Sequence, residues 1–256
     1  MNTNTFEIWR GKSLIDGEPI VLLASGFDSV SANDKTGDMI QTWIMHAEVE
    51  PHEAIKTGQD KSVCGDCVLR GDGSGKDRPC YVTVFRAPLA LWRSWDSGNV
   101  AKMDPTKAGS VIGAGVSPPG VREGRSLRLG SYGDPAAVPY WVWHHLAEFA
   151  PVRTGYTHQW RTADKRLRSL LMASVDTSTD RREAIRKGWR TFRTRSADMP
   201  LLKGEFVCPA SEEGGKVTTC ENCHLCDGRR RGDTRNCPVI IAHGPTKSRW
   251  AAAVGV

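Results

Sequence analysis

Apolar and polar positions change rhythm along this chain. Near the start, Pro19-Ile-Val-Leu-Leu-Ala-Ser and Met39-Ile-Gln-Thr-Trp-Ile-Met are short β-prone runs. The segment between them, Asn33-Asp-Lys-Thr-Gly-Asp38, is rich in turn formers, so residues 19–47 predict a β-hairpin. Pro51-His-Glu-Ala-Ile-Lys follows as a short helix with proline in its first turn. Further on, Tyr81-Val-Thr-Val-Phe reads as a strand and Pro88 to Trp95 as the start of a helix.

The second half is repetitive. Ser126-Leu-Arg-Leu-Gly predicts a strand that runs into Gly130-Ser-Tyr-Gly-Asp-Pro135, and Ala136 to Phe149 an apolar, aromatic-rich helix. Arg153 to Trp160 is strand-like, Ala163 to Leu171 a polar helix, and Leu171 to Asp176 a strand. Asp180 to Trp189 is a helix, with Asp180 and Glu183 at capping-box spacing. Arg190 to Arg195, Glu205 to Cys208 and Val239 to His243 complete the strands. Strands alternating with helices predict β-α units and a parallel sheet. Special residues recur just after the strands, at Tyr132 to Pro135, His158, Asp176 and Cys208. That placement favours a partial β/α (TIM-like) barrel over an open doubly wound sheet. The organisation predicted is an N-terminal β-hairpin region (1–60), a β/α core (61–207) and a cysteine-rich C-terminal extension (208–256).

The cysteines add chemistry to this frame. Cys208 is followed after eleven residues by Cys220, Cys223 and Cys226 at two-residue intervals, a ligand set for an iron–sulfur cluster or for zinc. Cys237 competes with Cys208 as the fourth ligand. Upstream, Cys64-Gly-Asp-Cys67 forms a tight turn, and a glycine-rich loop returns the chain to Cys80, giving a second set of three. Eight cysteines also allow four disulfides, but two-residue spacings suit metal chelation better.

At 256 residues the chain has ample material for a core, and a formal net charge of +6 favours polyanionic partners. The segment 161–195 is heavily basic and is interleaved with Trp160, Trp189 and Phe192; Arg229-Arg-Arg231 follows the second cysteine group. A solvated helix face is the plain reading of such charges, and contact with DNA or RNA the functional one. No secretion signal is visible and the longest apolar runs are too short to cross a bilayer, so a cytoplasmic protein is expected. His158, at a strand end, is the candidate for acid–base work. No serine elbow, phosphate-cradling loop or zinc-protease helix is present.

Taken together, the early cysteine trio, the β/α pattern and the later cysteine group resemble the radical S-adenosylmethionine enzymes. The resemblance implies a [4Fe-4S] cluster on Cys64, Cys67 and Cys80 with one iron free for S-adenosylmethionine. It implies that Gly133-Asp134-Pro135 meets the ligand's amino group, that Ser174 and Asp176 lie near its ribose, and that the later cysteines hold an auxiliary cluster. The spacing differs from the family's three residues then two, being two then twelve here. Cys208-Pro-Ala-Ser and Cys220-Glu-Asn-Cys-His-Leu-Cys226 also resemble a group of bacteriophage-encoded proteins with cysteine-rich ends. The expectation is an iron–sulfur protein acting on a nucleic acid or nucleotide. The alternative is a non-catalytic nucleic-acid-binding module braced by zinc or a closed cluster.

Overall fold

The computed structural model describes residues 2–29, 33–76, 78–114, 124–244 and 246–255. In chain order its elements open with β1 (Asn2–Lys12), β2 (Pro19–Ser25), β3 (Met39–His46), α1 (Pro51–Thr57) and α2 (Lys61–Cys64). Next come α3 (Ala87–Asp96), β4 (Val100–Lys102), α4 (Pro105–Ala114), β5 (Ser126–Tyr132), α5 (Tyr140–Ala147) and β6 (Arg153–Thr157). The chain ends with β7 (Met172–Val175), α6 (Ser178–Arg186), β8 (Thr191–Arg195), β9 (Glu205–Val207), α7 (Cys220–Cys223), β10 (Cys237–Ile241) and α8 (Lys247–Val254).

The strands form one ten-stranded sheet in the order β4-β1-β2-β3-β5-β6-β7-β8-β10-β9. Only β1/β2 and β2/β3 are antiparallel. From β3 onward every pairing is parallel. Among the described residues, β4 and β9 each pair on one side only, so the hydrogen-bonded sheet is open. Strands β9 and β10 belong to the same sheet as the hairpin, so the expected boundary at 207/208 runs through it. No helix of the described residues is long and apolar enough to cross a membrane.

The core follows from which strands are covered on both faces. Ile20, Val21, Leu22, Leu23 and Ala24 are all fully buried, the unbroken apolar run of a central strand. The hairpin is as expected, with Leu22 opposite Ile44 and Leu23 opposite Trp43. Strand β1, outside it, has no clear apolar signal. Its Thr5 and Glu7 are buried, and Glu7 accepts a hydrogen bond from the Trp95 indole, so polar letters hide an interior strand. A register shift between Glu7 and Trp9 breaks the alternation as well.

Three local expectations are corrected and one element is added. Residues 81–85 form no strand: after the Cys80 N–H bonds to Leu69, the chain turns at Thr83, leaving Tyr81 and Phe85 each 67 % exposed. The helix expected at 163–171 is a single tight 3₁₀ turn, Lys165–Ser169, capped by Asp164. Asp180 is not the cap of α6, because Thr177 takes that role by accepting from the Asp180 N–H at 3.0 Å. Finally, α8 extends beyond the last expected strand, and its buried Trp250 ties it to the sheet.

Candidate metal and ligand site

Three cysteines converge because the loop after β3 is clamped from several directions. Cys64 ends α2, and Gly65 turns the chain at φ +56°. A Cβ on Gly65 would lie 2.4 Å from the Gln159 carboxamide carbon, so the close approach itself excludes a side chain. Gln159 donates to the Cys64 carbonyl at 3.2 Å and accepts from the Asp66 N–H at 3.4 Å. Arg70 binds the Gly65 carbonyl, the Gly58 carbonyl and, at 2.7 Å, the Asp60 carboxylate. The Cys80 N–H reaches the Leu69 carbonyl at 3.0 Å, which closes the glycine-rich loop.

The result is that Cys64, Cys67 and Cys80 line one cavity of about 360 Å³. Its other wall is built from alternate positions of the parallel strands, including Tyr132, Tyr156, Ser174, Thr194 and Ile240, so it lies over one face of the sheet and its C-terminal edge. Burial pushes the Cys64 thiol well up, and its neighbours Cys67, Asp60 and Cys80 add to that. Cys80 is raised mainly by burial, with Arg78 opposing. Thiols that raise one another in a dry pocket are relieved when a cation takes up their negative charge.

Each of the other expected site residues has a definite place. Gly133 is needed where it stands, at φ +81°, because a Cβ would lie 2.7 Å from the Ile44 carbonyl. Asp134 is buried, and burial raises its carboxyl. Its two oxygens already accept from the Ala136 N–H at 2.9 Å and the His158 N–H at 2.8 Å. It therefore staples the end of β5 to the end of β6, a structural duty the resemblance did not imply. The Pro135 carbonyl is occupied by the Trp143 indole at 2.8 Å. Ser174 lines the cavity.

His158 and Asp176 come together, with Nε2 to Oδ2 at 3.7 Å. Burial alone would lower His158, but the adjacent Cys67 and hydrogen bonds to Asp176 and Cys67 hold it well above the ordinary imidazole range. Asp176 also accepts from the Trp250 indole at 2.9 Å, so α8 is anchored beside the expected ribose position.

The second cysteine group forms a separate nest. Cys208, Cys220, Cys223 and Cys226 line a small adjoining pocket. Burial raises Cys226, and the thiols that raise it further are those of Cys220, Cys208 and Cys223. Cys237 is elsewhere, at the start of β10 beside β8, where its sulfur accepts the Thr191 N–H at 3.5 Å. This geometry favours Cys208 over Cys237 as the fourth member. The nest is docked on the hairpin turn, with the Cys220 N–H on the Lys35 carbonyl at 2.9 Å and the Glu221 N–H on the Thr36 carbonyl at 3.1 Å. Cys220 borders both the small pocket and the large cavity. All eight cysteines are free thiols.

Among the described residues no three His, Cys, Asp or Glu side chains converge tightly enough for a single metal ion. A multi-iron cluster sets its thiolates at the corners of a cube and so spreads them wider than zinc does. The thiols of the second pocket, and those of the first with His158 beside them, are donors that an iron–sulfur cluster or zinc accepts.

The basic segment is largely neutralised from within. Arg161 pairs with Asp180 and Glu183, Arg166 with Asp164, and Arg181 and Arg193 with Glu205. Arg190 and Arg193 are buried, as are Trp160 and Trp189, so these four present no outer face to a partner. Arg229 and Arg231 remain exposed. Residues that sequence reasoning did not single out are Gln159, Arg70, Arg78, Lys35, Arg128 and Trp250. Gln159, Lys35, Arg128 and Trp250 act across a long sequence separation, whereas Arg70 and Arg78 act within the cysteine loop itself. Comparison with known families, with curated proteins and with solved structures finds no match to this chain.

Proposed function

We propose that the chain is an iron–sulfur protein of radical S-adenosylmethionine type. In this reading Cys64, Cys67 and Cys80 hold a four-iron cluster with one iron open to the cavity. Cys208, Cys220, Cys223 and Cys226 hold a second, closed cluster, and β3, β5–β8 and β10 are the wall of a partial barrel. The observation that carries the reading is the partition of the thiols. Three line the large cavity from the cysteine loop; Cys220 borders it from the second nest, where it shares a pocket with Cys208, Cys223 and Cys226, and Cys237 lines neither pocket.

When bound, the reduced cluster would supply the electron that cleaves the sulfonium of S-adenosylmethionine. The protein's own residues do the rest. Gln159 and Arg70 fix the cysteine turn, and Arg78 offsets thiolate charge beside Cys80. His158 stands beside Cys67 and is aligned by Asp176, with Nε2 3.7 Å from the carboxylate. The Tyr132 hydroxyl, buried and without a hydrogen-bond partner, is a donor for a bound ligand. Tyr156, Phe192 and Trp250 exclude water from the inner wall.

A second reading rests on His158. Its bond to Cys67 places a fourth protein donor next to the trio, and ligation through it would close the cluster and leave a metal-braced binding module. Anaerobic purification with iron, zinc and sulfide analysis, followed by assay of 5′-deoxyadenosine formed from S-adenosylmethionine under strong reductant, separates the two. The first reading requires iron, sulfide and product, all lost from the first site in Cys64→Ala. A colourless zinc protein, or a brown one that yields no product, leaves the second.

A further inference from the structure

Four cations line the large cavity: Lys35, Arg78, Arg128 and Lys247. Among the described residues none of them makes an ion pair or a side-chain hydrogen bond, and the buried Nε of Arg78 has no partner at all. Elsewhere the chain pairs its buried cations with care, as Arg125 with Asp38 at 2.7 Å and Arg193 with Glu205 at 2.7 Å. The lining contains one carboxylate among the described residues, Asp134, and its oxygens are taken by backbone N–H groups. A concave, low-dielectric chamber with such a surplus focuses positive potential on whatever enters.

The thiolates account for part of this charge. Arg78 stands by Cys64 and Cys80, whereas Lys35 and Arg128 share the single thiol of Cys220. Lys247, exposed at the rim, serves none. S-Adenosylmethionine does not account for the remainder, because its sulfonium and ammonium outweigh its one carboxylate. The second occupant is therefore an anion. The opposite wall is aromatic, with the Tyr156 and Phe192 ring centroids 4.5 Å apart and their planes tilted by 46°. At the mouth, Tyr81 is 67 % exposed while still lining the cavity. An exposed ring beside unpaired cations is how single-stranded nucleic acid is gripped, by stacking and by attraction of its phosphates.

We infer that the cavity takes a nucleotide unit of single-stranded nucleic acid, with phosphate on Lys35, Arg128 and Lys247 and the base against Tyr156 and Phe192. Tyr81 stacks on a neighbouring base at the rim. The inference rests on the cavity being the substrate chamber of the proposed function, and it moves nucleic-acid binding from the outer basic segment to the cavity mouth.

The test is the binding of a labelled single-stranded oligothymidylate to the anaerobically purified full chain, followed by fluorescence anisotropy over a range of salt, with thymidine monophosphate as competitor. Lys35→Gln/Arg128→Gln is expected to weaken binding at least tenfold. It should also flatten the dependence of log affinity on log salt by about 0.7 for each phosphate that is no longer neutralised. Tyr81→Ala should weaken binding roughly five- to fiftyfold, and Arg229→Gln/Arg231→Gln should leave it unchanged. Equal displacement by the mononucleotide supports the same chemistry with a free nucleotide as the source. The inference is overturned if wild type binds neither ligand, if Lys35→Gln/Arg128→Gln binds as wild type does, or if the weakening follows Arg229 and Arg231. Circular dichroism and iron content on the same samples establish that the variants are folded and loaded. A protein that forms 5′-deoxyadenosine but ignores nucleotides would retain the proposed function and lose this inference; the reverse result would do the opposite.

Discussion

The two cysteine nests differ in how they are held more than in what they contain. The first sits on a loop off the sheet, fastened chiefly by side chains, Gln159 from afar and Arg70 within the loop, besides the Cys80 N–H bond to Leu69, and three thiols open onto a roomy cavity. The second is fastened by backbone: the Cys208 N–H joins the Val239 carbonyl at 2.8 Å, and Cys220 and Glu221 join the hairpin turn. Its four thiols line a pocket far smaller than the first cavity. Side-chain clamps position a loop while leaving room in front of it. Backbone anchoring and four donors enclose a site. One nest is suited to chemistry on a ligand and the other to a closed cluster near it.

That contrast is broken or sharpened most strongly by removing a thiol from each nest. Cys64→Ala should abolish 5′-deoxyadenosine formation and lower iron to about half. Cys226→Ala should remove the other half of the iron and also lower the melting temperature, since Cys226 is buried against Met172 and Phe192. Iron per chain and calorimetry on the two variants check this; identical outcomes for both would erase the distinction.

Next in size is Gly65→Ala. At φ +56° and 2.4 Å from Gln159, the added methyl must displace the clamp, at a cost of about 1–3 kcal/mol. Iron should be lost from the first nest alone, as read by resonance Raman and iron analysis. Gln159→Ala, which removes two hydrogen bonds and leaves the turn unstrained, should cost about 1–2 kcal/mol and lower occupancy only in part.

Acid should act on the frame of the second nest first. Burial would raise Glu205, but the Arg193 hydrogen bonds, the Leu202 N–H and Arg181 hold it below its ordinary value of 4.5. A carboxylate whose folded pKa is depressed contributes stability that is full above the unfolded pKa and is lost as pH falls through the folded one. Urea midpoints should therefore drop on acidification below that ordinary value, and Glu205→Gln should flatten the drop while being less stable at neutral pH. An unchanged pH profile in Glu205→Gln would remove the carboxylate from this role.

The smallest effect belongs to Cys237→Ala. With its sulfur accepting the Thr191 N–H and lying outside the second pocket, its removal should leave iron unchanged and cost about 1 kcal/mol. Loss of iron in Cys237→Ala with retention in Cys208→Ala would reverse the assignment of the fourth ligand.

The sequence was legible wherever the determinant is local. The hairpin, the proline-started α1, the turn at Gly65 and most parallel strands follow from β-prone runs and from proline and glycine placement. Strand β1 was not legible, because its inward positions include Thr5 and Glu7. Tyr81 to Phe85 has a strand's letters but no partner strand, and became a turn. Within the site, two-residue spacing announced the cysteines. The separation of Cys208 from Cys237, by contrast, depends on where β10 lies beside β8, which spacing does not encode. The basic segment misled for a similar reason: the partners of Arg161, Arg181 and Arg193 lie on other turns and strands, so a string of charges concealed its own neutralisation.

The central claim is that the first nest leaves one metal position open to the cavity. It is tested most directly by electron paramagnetic resonance of the dithionite-reduced protein with and without S-adenosylmethionine, in a Cys226→Ala background that isolates the first cluster. The account predicts a cluster signal whose g values shift when S-adenosylmethionine is added, and which is missing once Cys64 is also replaced. A signal that ignores S-adenosylmethionine, and begins to respond only after His158→Gln, would mean that the histidine closes the site and would contradict the account.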